Sequence, residues 1–395
     1  MVLLAVQFLH ALAQGMAIVV LPWIVLARGA AVSSAGLVLT ASFFPFILLG
    51  LPAGAAGDSG PRRRMLGWVL SAQAVVAATL LTAGPPGSLP LWAILGAAFL
   101  LGSGRVFVDA AMFGALGHLV PRDGMLSAQA AVSSAFNLGY YGGPAVGGAI
   151  IGLAGPRAAL EVMVAALALG GAMSLVLRGA AATAAAPARD DRAMADGLRL
   201  VFREPTLRAL AVVAFAWSVL AAGIITLAMP HLRLDLRLDG TQVSAVMACG
   251  VASMMAAPFL LHRLAGRVAD TRILVAGLCG YLIPCAVFAL AGGATVGALA
   301  YGPLMLANAV CAATIIGARA RRTPRHLQAV AGVSGRMVVI GGFTVGSAAT
   351  SALTSLVSIE TVYLAIGVGM TALAAVAAPG LKRARRASRL AAQPA

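Results

Sequence analysis

Two charged residues, Arg105 and Asp109, lie within one long apolar stretch of the chain. They are four residues apart, so in a helix they share one face. A charge in the middle of a bilayer costs about 2.5–3.5 kcal/mol on insertion scales, and such residues therefore face a cavity or a partner. Two interpretations are open. Either Asp109 takes up and releases a proton while Arg105 tunes its proton affinity, or the two side chains form a static ion pair.

Other polar side chains inside apolar stretches are candidates for lining a cavity: Arg336, Asn137, His10, Gln14 and Asn308. Arg336 has no acidic residue in its own stretch, so its partner is another helix, a backbone carbonyl or an anionic substrate. His10 is able to titrate near neutral pH. A single histidine is also common as a packed side chain, and that alternative stays open.

Covalent chemistry and cofactors are not predicted. The cysteines show no C-x-x-C or Cys/His ligand spacing, and the histidines are scattered, so neither a metal site nor a catalytic constellation emerges. The only lysine, Lys382, has no phosphate-binding G-x-x-x-x-G-K-[ST] around it, which excludes an ATP-driven pump within this chain. The sequence therefore predicts no catalytic residues, no metal, no cofactor and no enzyme.

The composition indicates where these side chains must reside. Hydrophobic residues make up 61% of the 395 residues and charged residues only 10%, whereas a soluble domain carries about 25% charged residues. The net charge of +16 is concentrated in short loops between apolar stretches, which argues against nucleic-acid binding. This pattern is typical of a polytopic helical membrane protein.

Stretches of about twenty apolar residues predict an all-α integral membrane protein with twelve transmembrane helices. The predicted helices span residues 2–27, 34–56, 65–84, 90–118, 126–151, 157–178, 206–229, 241–262, 272–291, 295–317, 327–352 and 358–378. One long polar break divides them six and six. The predicted domains are a six-helix bundle at 1–178, a cytoplasmic central loop at 179–205, a second six-helix bundle at 206–378 and a basic cytoplasmic tail at 379–395.

Arginines concentrate in alternate loops, which predicts the orientation. With the N-terminus inside, the outer loops hold only four arginines: Arg28, Arg157, Arg233 and Arg237. The positive-inside rule then places both termini in the cytoplasm, in a multi-pass protein of the cell (inner) membrane. The first helix is expected to be retained, because no basic region precedes it and its apolar stretch continues past the signal-like Ala-x-Ala.

Two segments carry a family resemblance. Gly54–Arg64, GAAGDSGPRRR, resembles motif A of the major facilitator superfamily. Gly139–Gly148, GYYGGPAVGG, resembles motif C of the exporter branch of that family. The segment before motif C, beginning Val120-Pro-Arg-Asp, is similar to the macrolide-efflux and enterobactin-exporter-like members. The resemblance implies the two-bundle major facilitator fold.

The resemblance also implies roles for these residues. The motif A-like residues would form a cytoplasmic gate: Gly54, Asp58, Arg62, Arg63 and Arg64. The motif C-like residues would act in hinge motion and packing: Gly139, Gly143, Pro144, Gly147 and Gly148. The chain departs from the family at Ser59, where an arginine is usual, and in the degenerate second-half loop 266–272.

The predicted function is that of a secondary active transporter and antiporter. It would export amphiphilic small molecules, such as a drug, siderophore or secondary metabolite, by alternating access coupled to protons. Its partners are thus a small-molecule substrate, protons and the lipid bilayer, and the resemblance implies a monomer. The alternative is a facilitator or importer of the same fold without proton antiport.

Overall fold

A computed structural model of the chain describes residues 1–59, 62–85, 88–119, 125–176, 204–264, 266–323 and 328–391. These residues are almost entirely helical and contain no strand. In chain order the helices are α1 Val2–Ala27, α2 Val32–Phe43, α3 Pro45–Ser59, α4 Arg62–Thr82, α5 Leu91–Leu119, α6 Met125–Leu175, α7 Pro205–Pro230, α8 Gly240–Leu264, α9 Asp270–Cys279, α10 Leu282–Ala289, α11 Ala294–Ala320, α12 Gln328–Leu353 and α13 Ile359–Ala391.

Eleven stretches among the described residues are long and apolar enough to cross a membrane. One of them, Ala131–Leu175, is far longer than the roughly twenty residues that a crossing needs. Within it Gly155 has φ 84° and ψ 170°, a backbone conformation that favours glycine, and Pro156 follows. This break divides α6 into two parts that are each long enough to cross. The count then agrees with the twelve predicted spans.

Two other predicted spans contain a local break. The second span consists of α2 and α3, which meet at Phe44, immediately before Pro45. Phe44 keeps helical geometry, with φ −55° and ψ −37°, so the interruption follows from the N–H that Pro45 lacks. The ninth span consists of α9 and α10, which are separated at Gly280 and Tyr281. The other predicted bounds agree with the structure to within a few residues, except that α13 continues to Ala391, well past the predicted end at residue 378 and into the predicted tail.

The chain divides into two compact units. Unit 1 comprises Met1–Arg189 and Met229–Ala248, and unit 2 comprises Asp190–Ala228 and Cys249–Ala395. In unit 1, α1 packs mainly on α6 and also contacts α2 and α5. Most of α1 is buried, including its polar side chains. The sequence around these side chains is apolar on every face of the helix, so it does not show where they point. Unit 1 is therefore organised around a central helix that carries polar groups.

Close contact between α1 and α6 depends on glycine. A Cβ atom on Gly15 would overlap the carbonyl oxygen of Tyr140, and one on Gly143 would lie 2.6 Å from the Cα of Gly15. A Cβ atom on Gly139 would lie 2.6 Å from the carbonyl oxygen of Phe8. Small residues at this spacing let membrane helices approach closely. The three glycines thus set the distance between the two helices.

Unit 2 has a core rich in aromatic residues. The helices α9 and α10 pack on α11 and α13. The ring of Phe288 lies 5.1 Å from that of Tyr363 and 5.5 Å from that of Tyr301. The Tyr363 hydroxyl donates a hydrogen bond to the carbonyl oxygen of Ile224 at 3.2 Å. These contacts fix α7, α10, α11 and α13 to one another.

The segment between α7 and α8 belongs to unit 1 and is unusually regular for a loop. It begins with a π-helical turn, His231–Asp235, in which the Nδ1–H of His231 donates to the Asp235 carboxylate at 2.8 Å. Asp239 then caps α8 by accepting hydrogen bonds from the Thr241 hydroxyl and the Gln242 amide. These two bonds lower the pKa of Asp239, so the cap keeps its charge at neutral pH.

Candidate functional site

The Arg105 side chain is buried among aromatic rings. Its guanidinium carbon lies 4.2 Å from the ring centre of Tyr140, 5.3 Å from that of Phe136 and 5.4 Å from that of Phe46. Arg105 is 9% exposed, and Asp109, one turn further along α5, is 8% exposed. A cation over an aromatic face gains roughly 0.5–2 kcal/mol, and more where water is excluded. The rings therefore offset part of the cost of burying this charge.

Three neighbours act electrostatically on the guanidinium: Tyr140 and Tyr141 from α6, and Asp109 from its own helix. Its Nε atom has no hydrogen-bond partner among the described residues. Buried donors are nearly always paired in native proteins. Within the described part of the chain, Arg105 thus has one donor that makes no hydrogen bond.

Two glutamine side chains converge on one backbone carbonyl of α5. The Nε2 atom of Gln14 donates to the carbonyl oxygen of Leu101 at 3.0 Å, and that of Gln73 donates to the same oxygen at 2.7 Å. We call Gln14, Gln73 and the Leu101 carbonyl the Leu101 clamp. Leu101 lies one helical turn before Arg105, so the clamp fixes α1 and α4 to the part of α5 that carries the charges.

His10 lies next to this clamp and is fully buried. Its Nε2 atom is 3.5 Å from the Nε2 atom of Gln14, one turn along α1. Asp109 and Arg105 both act on it electrostatically. The structure therefore brings together four side chains that the sequence selected separately. With Gln73 they form what we call the polar cluster, His10, Gln14, Gln73, Arg105 and Asp109.

The polar cluster is not saturated with hydrogen bonds. Among the described residues, buried atoms without a partner are Oε1 of Gln7, Oε1 of Gln73, Nδ1 of His10 and Nε of Arg105. All four residues are in unit 1. Leaving such atoms unpaired is costly, so these four side chains have hydrogen-bonding capacity that the described residues do not use.

The remaining candidate lining residues lie elsewhere. Asn137 is half-buried on α6. In unit 2, Asn308 is buried and accepts a hydrogen bond from the Tyr281 hydroxyl at 3.3 Å, while Tyr281 accepts one from the Trp217 indole at 3.2 Å. Arg336, also in unit 2, is half-buried on α12. Asn308 is thus part of an internal hydrogen-bond chain.

The motif C-like residues pack against two elements. Gly139 and Gly143 contact α1, whereas a Cβ atom on Gly147 would lie at an ordinary 3.5 Å from Met16 on that helix. A Cβ atom on Gly148 would lie 3.1 Å from the backbone nitrogen of Ser244 on α8. The Ser244 hydroxyl donates to the carbonyl oxygen of Ala145 at 2.6 Å. Pro144 is buried within α6.

The motif A-like gate is described only in part. Gly54 and Asp58 lie on α3, and Arg62 and Arg63 begin α4. Their side chains are outside the described part of the structure. Arg64 is exposed. The gate therefore stays a prediction.

The degenerate second-half loop forms a related contact in unit 2. Asp270, the first residue of α9, accepts a hydrogen bond from Arg321 at 2.6 Å. Both side chains are partly exposed, so the pair contributes about 0–1 kcal/mol. A pocket of about 10 Å³ beside Asp270 reaches Thr206 and Thr314. It has room for about one water molecule and is too small for an amphiphile.

With the fold and the polar cluster described, the chain can be compared with known proteins. Residues 3–333 match the model of the Major Facilitator Superfamily. The chain therefore belongs to the major facilitator superfamily and is a membrane transporter.

Curated relatives agree with the efflux branch. Over 408 residues the chain is 26% identical to "Multidrug efflux pump Tap" of Mycobacterium tuberculosis (strain ATCC 25618 / H37Rv), covering 96% of this chain and 93% of the relative. A protein of the same name from Mycolicibacterium fortuitum is 33% identical over 212 residues, covering 50% of this chain and 51% of the relative. The predicted resemblance to the drug-efflux branch is thus confirmed.

Solved structures share the fold. The nucleoside transporter NupG is 12% identical with a TM-score of 0.78, covering 96% of this chain and 98% of that chain. A bacterial homolog of the human lysosomal transporter Spinster, in an inward-facing and occupied conformation, is 14% identical with a TM-score of 0.75, covering 98% and 96%. These similarities confirm the predicted fold class.

Sequence reasoning missed several members of the site. Gln7 and Gln73 are polar residues in apolar stretches, so the signal that selected Gln14 would also have found them. The rings around Arg105 carried no such signal, because aromatic residues are common in apolar helices. Their convergence on one guanidinium depends on how three different helices pack.

Proposed function

We propose that this protein is a proton-coupled exporter of amphiphilic small molecules, an antiporter in which Asp109 carries the coupling proton. The observation that supports the proposal is the polar cluster, which holds Asp109 beside a buried guanidinium within a helical unit. Arg105 is stabilised by aromatic faces, which accept no proton, so its charge persists when Asp109 changes state. Protonation of Asp109 then changes the net charge of the cluster by one. Such a change can favour one of the two access states over the other.

The direction of transport is supported by the relatives named as multidrug efflux pumps. The motif C-like segment on α6 agrees with an exporter. The scattering of polar atoms among apolar and aromatic side chains in unit 1 fits an amphiphile, because such pockets combine apolar walls with a few polar groups.

The experiment uses the protein in liposomes with an imposed pH gradient and follows efflux of a fluorescent amphiphile. We expect Asp109→Asn to abolish gradient-driven transport and to retain exchange of substrate across the membrane without a gradient. The matched control is Glu161→Gln, because Glu161 forms an exposed pair with Arg157 at 3.2 Å and should transport like the wild type.

Two results would contradict the proposal. If Asp109→Asn responds to the gradient as the wild type does, Asp109 is a structural partner of Arg105. If the wild type itself equilibrates substrate without regard to the gradient, the protein is a facilitator, and uptake would indicate an importer.

The proposal includes a monomer in the cell membrane with both termini in the cytoplasm. The arginine asymmetry of the loops supports this orientation. Lys382 is the only lysine of the chain, so an amine reagent that cannot cross membranes should label it only after cells are opened. Labelling of Lys382 in intact cells would indicate the opposite orientation.

A further inference from the structure

The hydrogen bonds of Gln14 determine the protonation state of His10. A carbonyl oxygen only accepts, so the bond to Leu101 at 3.0 Å fixes which end of the Gln14 amide is nitrogen. The second N–H of that amide then lies near Nε2 of His10, at 3.5 Å. Nε2 must be the acceptor. His10 is therefore a neutral imidazole that carries its proton on Nδ1.

This arrangement differs from that of a structural histidine. The large majority of buried side-chain polar atoms have a hydrogen-bond partner. His231, also buried, shows the contrast because its Nδ1 lies 2.8 Å from Asp235. The Nδ1 atom of His10 has no hydrogen-bond partner among the described residues. His10 thus has an unfilled donor position and an acceptor position that holds only a long, weak bond.

A proton on Nε2 is incompatible with the present position of Gln14. The new N–H would face the N–H group of the amide, and two donors repel each other. Turning the amide presents Oε1 to His10 and relieves the conflict. The same turn brings Oε1 toward the Leu101 carbonyl oxygen, so the hydrogen bond between Gln14 and Leu101 is lost. Gln73 alone then holds that carbonyl.

We propose that His10 is a second proton-binding residue of the transport cycle and that its protonation opens the Leu101 clamp through Gln14. This inference rests on the proposed function, since it adds a site beside Asp109. The proton comes from water or from the Asp109 carboxyl, which then becomes a carboxylate while the imidazole becomes an imidazolium.

Among the described residues, two charged side chains act on His10. From α5, Asp109 and Arg105 act on it with opposite sign. From α6, Tyr140 is the neighbour of Arg105. The polar groups of α1 and α4 nearest to it, Gln14 and Gln73, are uncharged. A change in the charge of Asp109 therefore alters the electrostatic potential at His10.

The first test is nitrogen NMR of the full-length protein labelled with ¹⁵N in its imidazole rings. The His10 signal is assigned by its loss in His10→Asn, or in His10→Gln if the first variant does not fold. At alkaline pH we expect Nδ1 to carry the proton and Nε2 to carry none. On acidification both nitrogens should become protonated. An Nε2–H tautomer, or a ring that stays neutral from pH 9 to pH 5, would overturn the inference.

The second test asks whether Gln14 responds to the proton. Gln14→Met keeps the length of the side chain and removes the donor that stabilises the neutral ring. We expect the midpoint of His10 protonation to rise by about 0.5–1 pH unit, the equivalent of one hydrogen bond. An unchanged midpoint would show that Gln14 does not sense the ring.

A third measurement separates this inference from the proposed function. Substrate exchange without a gradient is measured against pH in liposomes. We expect the exchange rate of the wild type and of His231→Asn to change with pH, and that of His10→Asn to lose this dependence. If the exchange rate of His10→Asn still changes with pH while Asp109→Asn abolishes coupling, the inference fails and the proposed function stands. If the wild type shows no coupling at all, the proposed function fails, and the NMR titration still decides the role of His10.

Discussion

The guanidinium of Arg105 lies over Tyr140, Phe136 and Phe46, and these faces stabilise its charge without neutralising it. An arginine cannot be deprotonated in a protein. In the proposed cycle, an Asp109 carboxylate beside this fixed positive charge would not be an isolated buried anion. We therefore expect the rings that hold Arg105 in place to matter for transport.

Removing the ring at position 140 tests this contribution. We expect Tyr140→Leu to lower gradient-driven efflux by about 2-fold to 30-fold, which corresponds to the roughly 0.5–2 kcal/mol of a cation–π contact. Tyr140→Phe keeps the ring and should stay close to the wild type. Efflux is measured in the same liposome assay. An equal loss in both variants would assign the effect to the hydroxyl group.

At this scale the sequence singled out four of the five side chains of the polar cluster. Arg105 and Asp109 stand out because a charge in an apolar stretch is rare, and the same reasoning selected His10 and Gln14. Their convergence was not predicted, because it depends on the rotation of α1 and α5 about their axes. The transport assay of Asp109→Asn distinguishes a proton site from a static ion pair.

The contact between α1 and α6 is set by single glycines, which gives a test at the scale of the helix. Gly143→Ala places a Cβ atom 2.6 Å from the Cα of Gly15, whereas a Cβ atom on Gly142 meets nothing within 4 Å. Overpacking of this kind costs about 1–3 kcal/mol. We expect Gly143→Ala to lower the melting temperature and the efflux rate, and Gly142→Ala to change neither.

The adjacent position makes this comparison stringent. Both variants add one methyl group to the same helix, so a general effect of alanine on α6 would appear in both. Equal melting temperatures for the two variants would contradict the packing role of Gly143.

Helix bounds were predictable because span length and breaks follow from hydropathy and from glycine and proline. The sequence placed the break within α6 between residues 151 and 157, and the structure places it at Gly155. The partner of each helix was not predictable. The motif C-like glycines, for instance, contact both α1 and α8, and a repeat of small residues does not specify which helix it faces.

At the scale of the whole molecule, the segment Met229–Ala248 is notable for the unit to which it belongs. It belongs to unit 1, although the residues directly before and after it belong to unit 2. Within unit 1 it is held at α6 by Ser244, whose hydroxyl donates to Ala145. Alternating access requires one set of helix contacts to break while another forms. We predict that the contact between α6 and α8 is one that must break.

Cross-linking tests this prediction. The exposed cysteines Cys249 and Cys279 are first replaced by serine, and cysteines are introduced as Ala145→Cys and Ser244→Cys. Joining them with a short reducible reagent should abolish efflux, and reduction should restore it. Each single cysteine, treated in the same way, is the control. Full efflux in the cross-linked protein would show that the contact persists throughout the cycle.

The same segment places Arg233 against Trp23, with the guanidinium carbon 3.7 Å from the indole ring centre. The chain has only four tryptophans, and a cation so close to an indole perturbs its fluorescence. Trp68 and Trp92 are largely exposed, and Trp217 is buried elsewhere. Replacing those three would leave Trp23 as the only tryptophan. Its emission wavelength would then depend on whether the α7–α8 segment contacts it. We expect the emission of Trp23 to change during transport if Arg233 leaves the indole ring, and this can be measured without an attached dye.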